Sequence, residues 1–505
     1  MDASSLSPVE RGFAMAALIL AMLMQVLDTT IANVALPHMQ TSLGATRDTI
    51  NWVLTSYIVA SAIFIPITGW LADKVGRRPL FIWSVIAFTL ASVLCAMAQN
   101  LTEMVLFRAA QGVAGAFIVP LAQATMFDIN PREKHARAMA IFGAGVMIGP
   151  ILGPMLGGWL TDNFDWRWVF LVNLPVGALA VVMMIRFLPA TPRRERRFDL
   201  FGFALLALAL GALQMMLDRG EQVDWFESWE IWIEGGLAVA GAWMFAIHML
   251  TARDPLFDPA MFKDRNFSVG LLFMAVTGVM LLAGLALLPP LLQGLFGYSV
   301  LQSGILTMPR GVGTLVAMIL SSRLVGRVDS RLIVLAGMSL IALSLYQMSG
   351  FSLDMDSWPV IVSGLLQGLG IGFMFVPLNT VAFATMEARF RTAGASLFNL
   401  SRSIGGSIGI SVVSAFLARN LQVSHADLAA HVTPYTLPPL GADVARTVPS
   451  LSGPALAALD AEINRQAQMI AFIDDFHLMM LITLAAMPLL LLLRRYRPEG
   501  EAPAK

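Results

Sequence analysis

Long apolar stretches alternate with short polar connections along almost the whole chain. Fourteen of them, residues 13–36, 50–72, 79–98, 103–126, 137–160, 168–188, 199–217, 231–250, 267–293, 302–322, 332–350, 358–385, 393–418 and 472–493, are long enough to cross a hydrocarbon core of about 30 Å as helices. None alternates apolar and polar residues as a barrel strand does, and a backbone in lipid must satisfy its own hydrogen bonds, so the stretches are predicted as α-helices. The pattern therefore predicts an all-α polytopic membrane protein with fourteen spans. The first span holds an anomaly: in QVLDTTIANVALP, residues 25–37, Asp28 interrupts an otherwise mostly apolar run.

Composition agrees with a membrane setting. Of 505 residues, 57% are hydrophobic and only 13% charged, where soluble domains carry about 25% Asp, Glu, Lys and Arg. Net charge is zero, so no global field points to nucleic acid. The distribution of charge says more than its sum. With the N-terminus placed in the cytoplasm, 24 of the 33 Lys and Arg residues fall on the cytoplasmic side, six on the opposite side, and three (Arg108, Arg310 and Arg402) inside spans. The inner clusters are Lys74/Arg77/Arg78, Arg132/Lys134/Arg137, Arg193/Arg194/Arg196/Arg197, Arg253/Lys263/Arg265, Arg323/Arg327/Arg331, Arg389/Arg391 and Arg494/Arg495/Arg497. This bias supports an even number of spans with both termini cytoplasmic. The first apolar run is read as a retained span rather than a cleaved leader. Cys95 is the lone cysteine and the six His are scattered; this pattern predicts no disulfide and no metal site. No phosphate-binding loop appears, so ATP is not expected to supply energy and no cofactor is expected.

The chain also repeats itself. QGVAGAFIVPL from Gln111 matches QGLGIGFMFVPL from Gln367, and Phe142, Ile148, Gly149 and Gly153 recur as Phe398, Ile404, Gly405 and Gly409 at an offset of 256. Three regions follow: residues 1–188 with six spans, 189–258 with two additional spans, and 259–505 with six more, including a long outer connection at 419–471. Parallel six-helix halves are a transporter architecture with the substrate site between them near the midplane. Alignment through Pro37 and Pro290 sets Asp28 opposite Leu281, and alignment through Gln111 sets Arg108 opposite Gly364. Neither charge is duplicated, which favours a functional over a merely structural role. The 419–471 connection begins polar and Pro-rich and turns helical in pattern from Ser452, as either a cap on the last span or a docking surface. Trp225, Phe226 and Trp229 read as interfacial aromatics.

Seven stretches carry a resemblance. GWLADKVGRRP, Gly69 to Pro79, is similar to the loop signature of the major facilitator superfamily at Gly69, Asp73, Gly76, Arg77 and Arg78. GVMIGPILGPMLGGWL spaces Gly145, Gly149, Gly153 and Gly157 every four residues, with Gly158, Pro150 and Pro154, and resembles that family's antiporter motif. The glycines bare one helix face for close backbone contact, and the prolines permit a bend. LFRAAQGVAGAFIVP resembles its Arg motif, and QVLDTTIANVALP, WRWVFLVNLPVG, LQMMLDRGEQVDWF and FNLSRSIGGSIG are similar to EmrB-type permeases of the fourteen-span drug/proton antiporter family. SSRLVGRVDSRL is a degenerate second copy of the loop signature.

The resemblance implies a major facilitator fold in a bacterial cytoplasmic (inner) membrane. It also implies proton-driven efflux of lipophilic or amphipathic drugs, a loop latch in which Asp and Arg bridge helix ends in one conformation, a periplasmic adaptor of EmrA type, and an outer-membrane channel. Asp28 and Arg108 are the proton-coupling candidates, since each lies on the order of 10 Å below the outer membrane face at 1.5 Å per residue and an intramembrane charge needs a partner or a wet cavity. A permanent structural ion pair is the alternative. Gln25, Asn33, Gln111, Gln293, Asn399 and Arg402 are cavity candidates, Arg402 with backbone carbonyls as its alternative partner. Arg310, near a helix start, and Asp474/Asp475, near an outer end, are read as reachable by water. Export of one endogenous metabolite is the second transport reading. A membrane sensor or enzyme lacks a supporting domain or catalytic cluster.

Overall fold

The computed structural model describes residues 7–191, 193, 197–431 and 453–494. Arg194, Arg196, Arg495 and Arg497, and the 432–452 part of the long connection, lie outside them. Fourteen membrane-length helices follow one another: α1 (Pro8–Ser42), α2 (Trp52–Val75), α3 (Arg77–Met97), α4 (Leu101–Ile129), α5 (Arg132–Asn163), α6 (Trp168–Phe187), α7 (Leu200–Val223), α8 (Trp229–Thr251), α9 (Arg265–Leu295), α10 (Val300–Leu324), α11 (Ser330–Met348), α12 (Trp358–Ala384), α13 (Ala388–His431) and α14 (Leu456–Leu492). They match the predicted spans in number and order. No strand occurs among the described residues, only an isolated bridge between Val325 and Val328.

Local chemistry sets the helix starts. Ser7 and Glu10 cap α1 reciprocally with Pro8 in its first turn, and Ser299 and Gln302 do the same for α10; each cap satisfies amide donors left over at the helix end. Gly76 breaks α2 from α3 at φ +97°, a conformation that a Cβ disfavours. Helices α1, α5, α9 and α12 run through internal prolines.

Helix pairing repeats between the two groups of six. α1 packs on α5, α2 on α4, and α3 on α4 and α6; correspondingly α9 packs on α13, α10 on α12, and α11 on α12 and α14. The matched glycines explain the first pairing. A Cβ on Gly149 would collide with Val26 of α1, and one on Gly405 with the Ala275 backbone of α9. Helices α7 and α8 pack mainly on each other, tied by His248 on Asp199 at 2.9 Å and Arg219 on Glu230 at 2.5 Å, and α7 leans on α2. Phe226 and Trp229 are exposed as expected, whereas Trp225 folds back over Gly220.

The polar start of the 419–471 segment is itself helical. Helix α13 continues to His431, and helix resumes at Gly453 toward α14. The two extensions run side by side, with Asn420 donating to Asp474 at 3.2 Å and His425 paired with Asp460 at 3.1 Å. Cross-helix polar contacts thus extend the helices past the apolar run that the sequence pattern detects.

Candidate functional site

Asp28 and Arg108 meet in the interior of the first six-helix group. Both side chains are 0% exposed, and Arg108 Nη1 donates to Asp28 Oδ2 at 2.6 Å. The other carboxylate oxygen accepts from Gln111 Nε2 at 2.8 Å and from Asn173 Nδ2 at 2.7 Å. Ser92 Oγ accepts from both amides, at 2.7 and 3.1 Å, while Gln111 Oε1 accepts from Arg108 Nη1 at 2.5 Å. Arg108 Nε donates to the Val53 carbonyl at 3.1 Å, and its guanidinium lies 4.4 Å from the Tyr57 ring. Five helices, α1, α2, α3, α4 and α6, therefore converge on one carboxylate.

Every partner of Asp28 is a donor, and the bond from Arg108 is charge-assisted and so stronger than a neutral one. An added proton would need an acceptor, which is created if the Gln111 amide turns over and releases Arg108 from its oxygen. Gly112 and Gly115 explain the close approach of α2: a Cβ on the first would strike the Tyr57 carbonyl, and on the second would lie 2.9 Å from the Tyr57 hydroxyl. Gln111, predicted as a cavity residue, instead belongs to this sealed network. Ser92, Asn173 and Tyr57 were not singled out from the sequence; Asn173 lies in WRWVFLVNLPVG, where only its place in a motif marked it.

The remaining cavity candidates scatter. Gln25 is half-buried, with Oε1 lacking a hydrogen-bond partner among the described residues. Asn33 is exposed, because five residues along a helix from Asp28 rotates it well away from that face. Gln293 is also exposed, at the end of α9, so it does not line an enclosed site. Asn399 and Arg402 do belong to one cluster. Arg402 Nη2 donates to Asn399 Oδ1 at 3.2 Å, Asn399 Nδ2 to Gln123 Oε1 at 2.7 Å, and Gln123 Nε2 to Asn379 Oδ1 at 2.7 Å. Gln123 and Asn379, absent from the predicted set, make this a polar bridge between the halves.

Two predicted water-reachable groups are in fact buried. Arg310 lies ten residues into α10 and is 6% exposed, and Asp475 is 0% exposed with neither carboxylate oxygen hydrogen-bonded among the described residues. Sequence distance from a helix end misjudged both, because neighbouring helices cover those faces.

The basic-cluster end of the bundle is shut. Asp128 at the end of α4 pairs with Arg77 and, across the halves, with Arg391 of α13 at 2.7 Å. Asp73 and Arg78 line the same surface cavity as Arg77 and Asp128, and Arg78 also donates to the Ile185 carbonyl. Gly69 admits Ala393 of α13, whose Cβ would lie 2.9 Å from an added Cβ. Phe127 stacks on Phe383 and Phe142 on Phe375, each pair bridging the halves. Asp128 was missed by the sequence reading; its signal was an acid at a helix end facing two basic loops. Removing it leaves two cations facing each other. In a Ser396→Cys background, Asp128→Ala is expected to raise labelling of the buried α13 cysteine by a water-soluble maleimide roughly fivefold, the equivalent of about 1 kcal/mol for a partly exposed pair. Unchanged labelling would show that Asp128 does not hold this end closed.

On α5, Gly145, Gly149, Gly153 and Gly157 all face α1, against Met22, Val26, Thr30 and Ile31, while Pro150 and Pro154 border a cavity shared with α9 and α10. Gly158 has nothing within 4 Å of an added Cβ. Gly158→Ala is therefore expected to leave the melting temperature and transport unchanged.

Comparison with known proteins agrees with this architecture. Residues 18–418 match the family model described as Major Facilitator Superfamily. The chain is 36% identical over 426 residues to the multidrug export protein EmrB of Escherichia coli K12, covering 83% of this chain and 82% of that protein. It is 37% identical over 421 residues to the fatty acid resistance protein FarB of Neisseria gonorrhoeae, covering 83% of each. Among solved structures, the human organic anion transporter MFSD10 aligns with a TM-score of 0.60 at 16% identity, over 95% of this chain and all of that one. The proton:xylose symporter XylE aligns at 0.61 and 12% identity, over 95% and 96%. At such identities the structures share the fold alone.

Proposed function

Since this chain belongs to the major facilitator superfamily, as an EmrB-type permease, we propose that it exports lipophilic or amphipathic drugs from the cytoplasm by alternating access, in exchange for protons. It is a transporter rather than an enzyme, and a multi-pass protein of the bacterial inner membrane. The relatives named for multidrug export support the substrate class. One observation carries the proton-coupling step: a sealed carboxylate in the first half, held by Arg108 and by amides that can change partners.

In the conformation described, the basic end is closed by Asp128, Arg391 and the Gln123 bridge, and Asp28 is out of contact with water. With that end in the cytoplasm, as the distribution of Lys and Arg favours, export proceeds by separating these contacts to admit drug. Asp28 takes up a proton from the outer side, loosens from Arg108, and yields the proton inside. Energy comes from the proton gradient and no cofactor takes part. The paired helical extensions of α13 and α14 are the docking surface for a periplasmic adaptor, which links the permease to an outer-membrane channel.

Inside-out vesicles with an imposed pH gradient test this reading across a panel of dyes, acids and antibiotics. Gradient-dependent accumulation of several unrelated compounds, each competing with the others, is expected; a single accumulating solute would instead indicate export of one metabolite. No gradient-dependent accumulation of any compound would end the proposal.

A further inference from the structure

Arg310 is a buried cation with no counter-charge among the described residues. Its side chain sits mid-helix in α10, and Nη2 donates to the Leu281 carbonyl at 3.1 Å. Nη1 has no hydrogen-bond partner among the described residues. An unpaired charge in such a place is costly, so its environment implies a partner that arrives from elsewhere. The guanidinium borders a cavity of about 80 Å³ between the halves. Ile151 and Pro154 of α5 line one side; Leu285 and Leu288 of α9 line the other.

The internal repeat explains what is missing. Gly112 lies against the backbone carbonyl of Tyr57, and its counterpart Gly368 lies against that of Arg310. Arg310 thus occupies the Tyr57 position of the second half, and a Cβ added to Gly364, the counterpart of Arg108, would lie 3.8 Å from the Arg310 Cβ. Leu281, to which Arg310 donates, lies one helical turn beyond Thr277, which the matched glycine contacts (Gly149 on Val26, Gly405 on Ala275) set opposite Asp28. Each half therefore sets a guanidinium within about one turn of the same level of its first helix, but among the described residues only the first half places a carboxylate against it. Gly284 leaves room at the guanidinium, with an added Cβ 3.1 Å from Nη1.

We propose that Arg310 is the headgroup site for an amphipathic monoanion, a carboxylate on an aliphatic chain, whose acid supplies the counter-charge that no described residue gives it. The carboxylate binds Nη1, the first carbons fill the apolar cavity, and the tail lies along the seam between α5 and α9. This assignment rests on the export reading for its role, though binding can be measured without transport.

The test uses purified full-length protein and the fluorescent probe 11-dansylaminoundecanoate, displaced by laurate or by dodecanol. Laurate is expected to compete at least tenfold better than dodecanol, as a charge-assisted bond to a buried guanidinium requires. Arg310→Gln is expected to weaken probe binding at least tenfold, Arg310→Lys to restore part of it, and Leu281→Asp to block the site with an internal acid. Should Arg310→Gln not fold, Arg310→Lys and Leu281→Asp decide. Equal competition by laurate and dodecanol, or unchanged probe binding in the folded variants, overturns the proposal. Ethidium accumulation in inside-out vesicles keeps the two readings apart. If ethidium moves but laurate does not bind, only the anion site fails; if no compound moves, export fails while the binding result still decides this site.

Discussion

Asp28→Asn is expected to reduce pH-gradient-driven accumulation in inside-out vesicles to background and to remove proton release when drug is added to the purified protein. The amide keeps an acceptor for Arg108 but cannot carry a proton through the cycle. It also leaves a buried guanidinium without its counter-charge, which costs about 3–5 kcal/mol when one partner of such a pair is removed. Two measurements separate these effects. If coupling alone is lost, the variant remains folded by gel filtration, still binds drug, and still lets drug move down its own concentration gradient. If the ion pair is only a structural clasp, melting temperature falls while each surviving molecule transports and releases protons as before. Normal proton release from folded Asp28→Asn would falsify the coupling role.

Gly149→Val carries the second large effect. A Cβ there already overlaps Val26 Cγ1 and would lie 3.2 Å from the Val26 backbone carbon; a branched side chain adds two more methyl groups on the α5 face that meets α1. Overpacking of this kind costs typically 1–3 kcal/mol. The functional loss is expected to exceed the stability loss, because Val26 lies two residues from Asp28 and α1 must move away from α5 to relieve the clash. Asp28 then loses its distances to Arg108, Gln111 and Asn173. The expected outcome is transport per folded molecule reduced at least about tenfold, with a lowered melting temperature. Gly405→Val provides the matched comparison, since it wedges α13 from α9 against the Ala275 backbone without touching the Asp28 network. A full rate in the folded fraction of Gly149→Val would show that the glycine face serves packing only.

Much of the arrangement could be read from sequence because lipid imposes one dominant rule. Apolar runs of fixed length become helices, so span number and order followed from the pattern, and the glycine period marked the face of α5 that meets α1. Depth along α1 and α4 placed Asp28 and Arg108 at one level. Rotation about each helix was harder to judge: Asn33 and Gln293 share the polarity of Gln111, yet they are exposed while Gln111 is buried. Ser92 gave no special signal and Asn173 only its place in a motif, since small polar residues are common in spans and their role depends on which neighbours they face.

Arg310 illustrates the limit most clearly. Its sequence setting near a helix start suggested access to water, whereas packing of α10 against α5, α9 and α12 encloses it. The same holds for Asp128, an unremarkable acid until Arg77 and Arg391 arrive from two other helices. By itself the sequence determined the membrane class, the fourteen spans, the duplicated halves and the lack of a second-half match to Asp28, because these depend on composition, period and length along one chain. Only the tertiary structure decided which polar side chains are partners, which buried cation meets no acid among the described residues, and which end is shut, because those depend on how helices far apart in sequence are rotated and packed against each other.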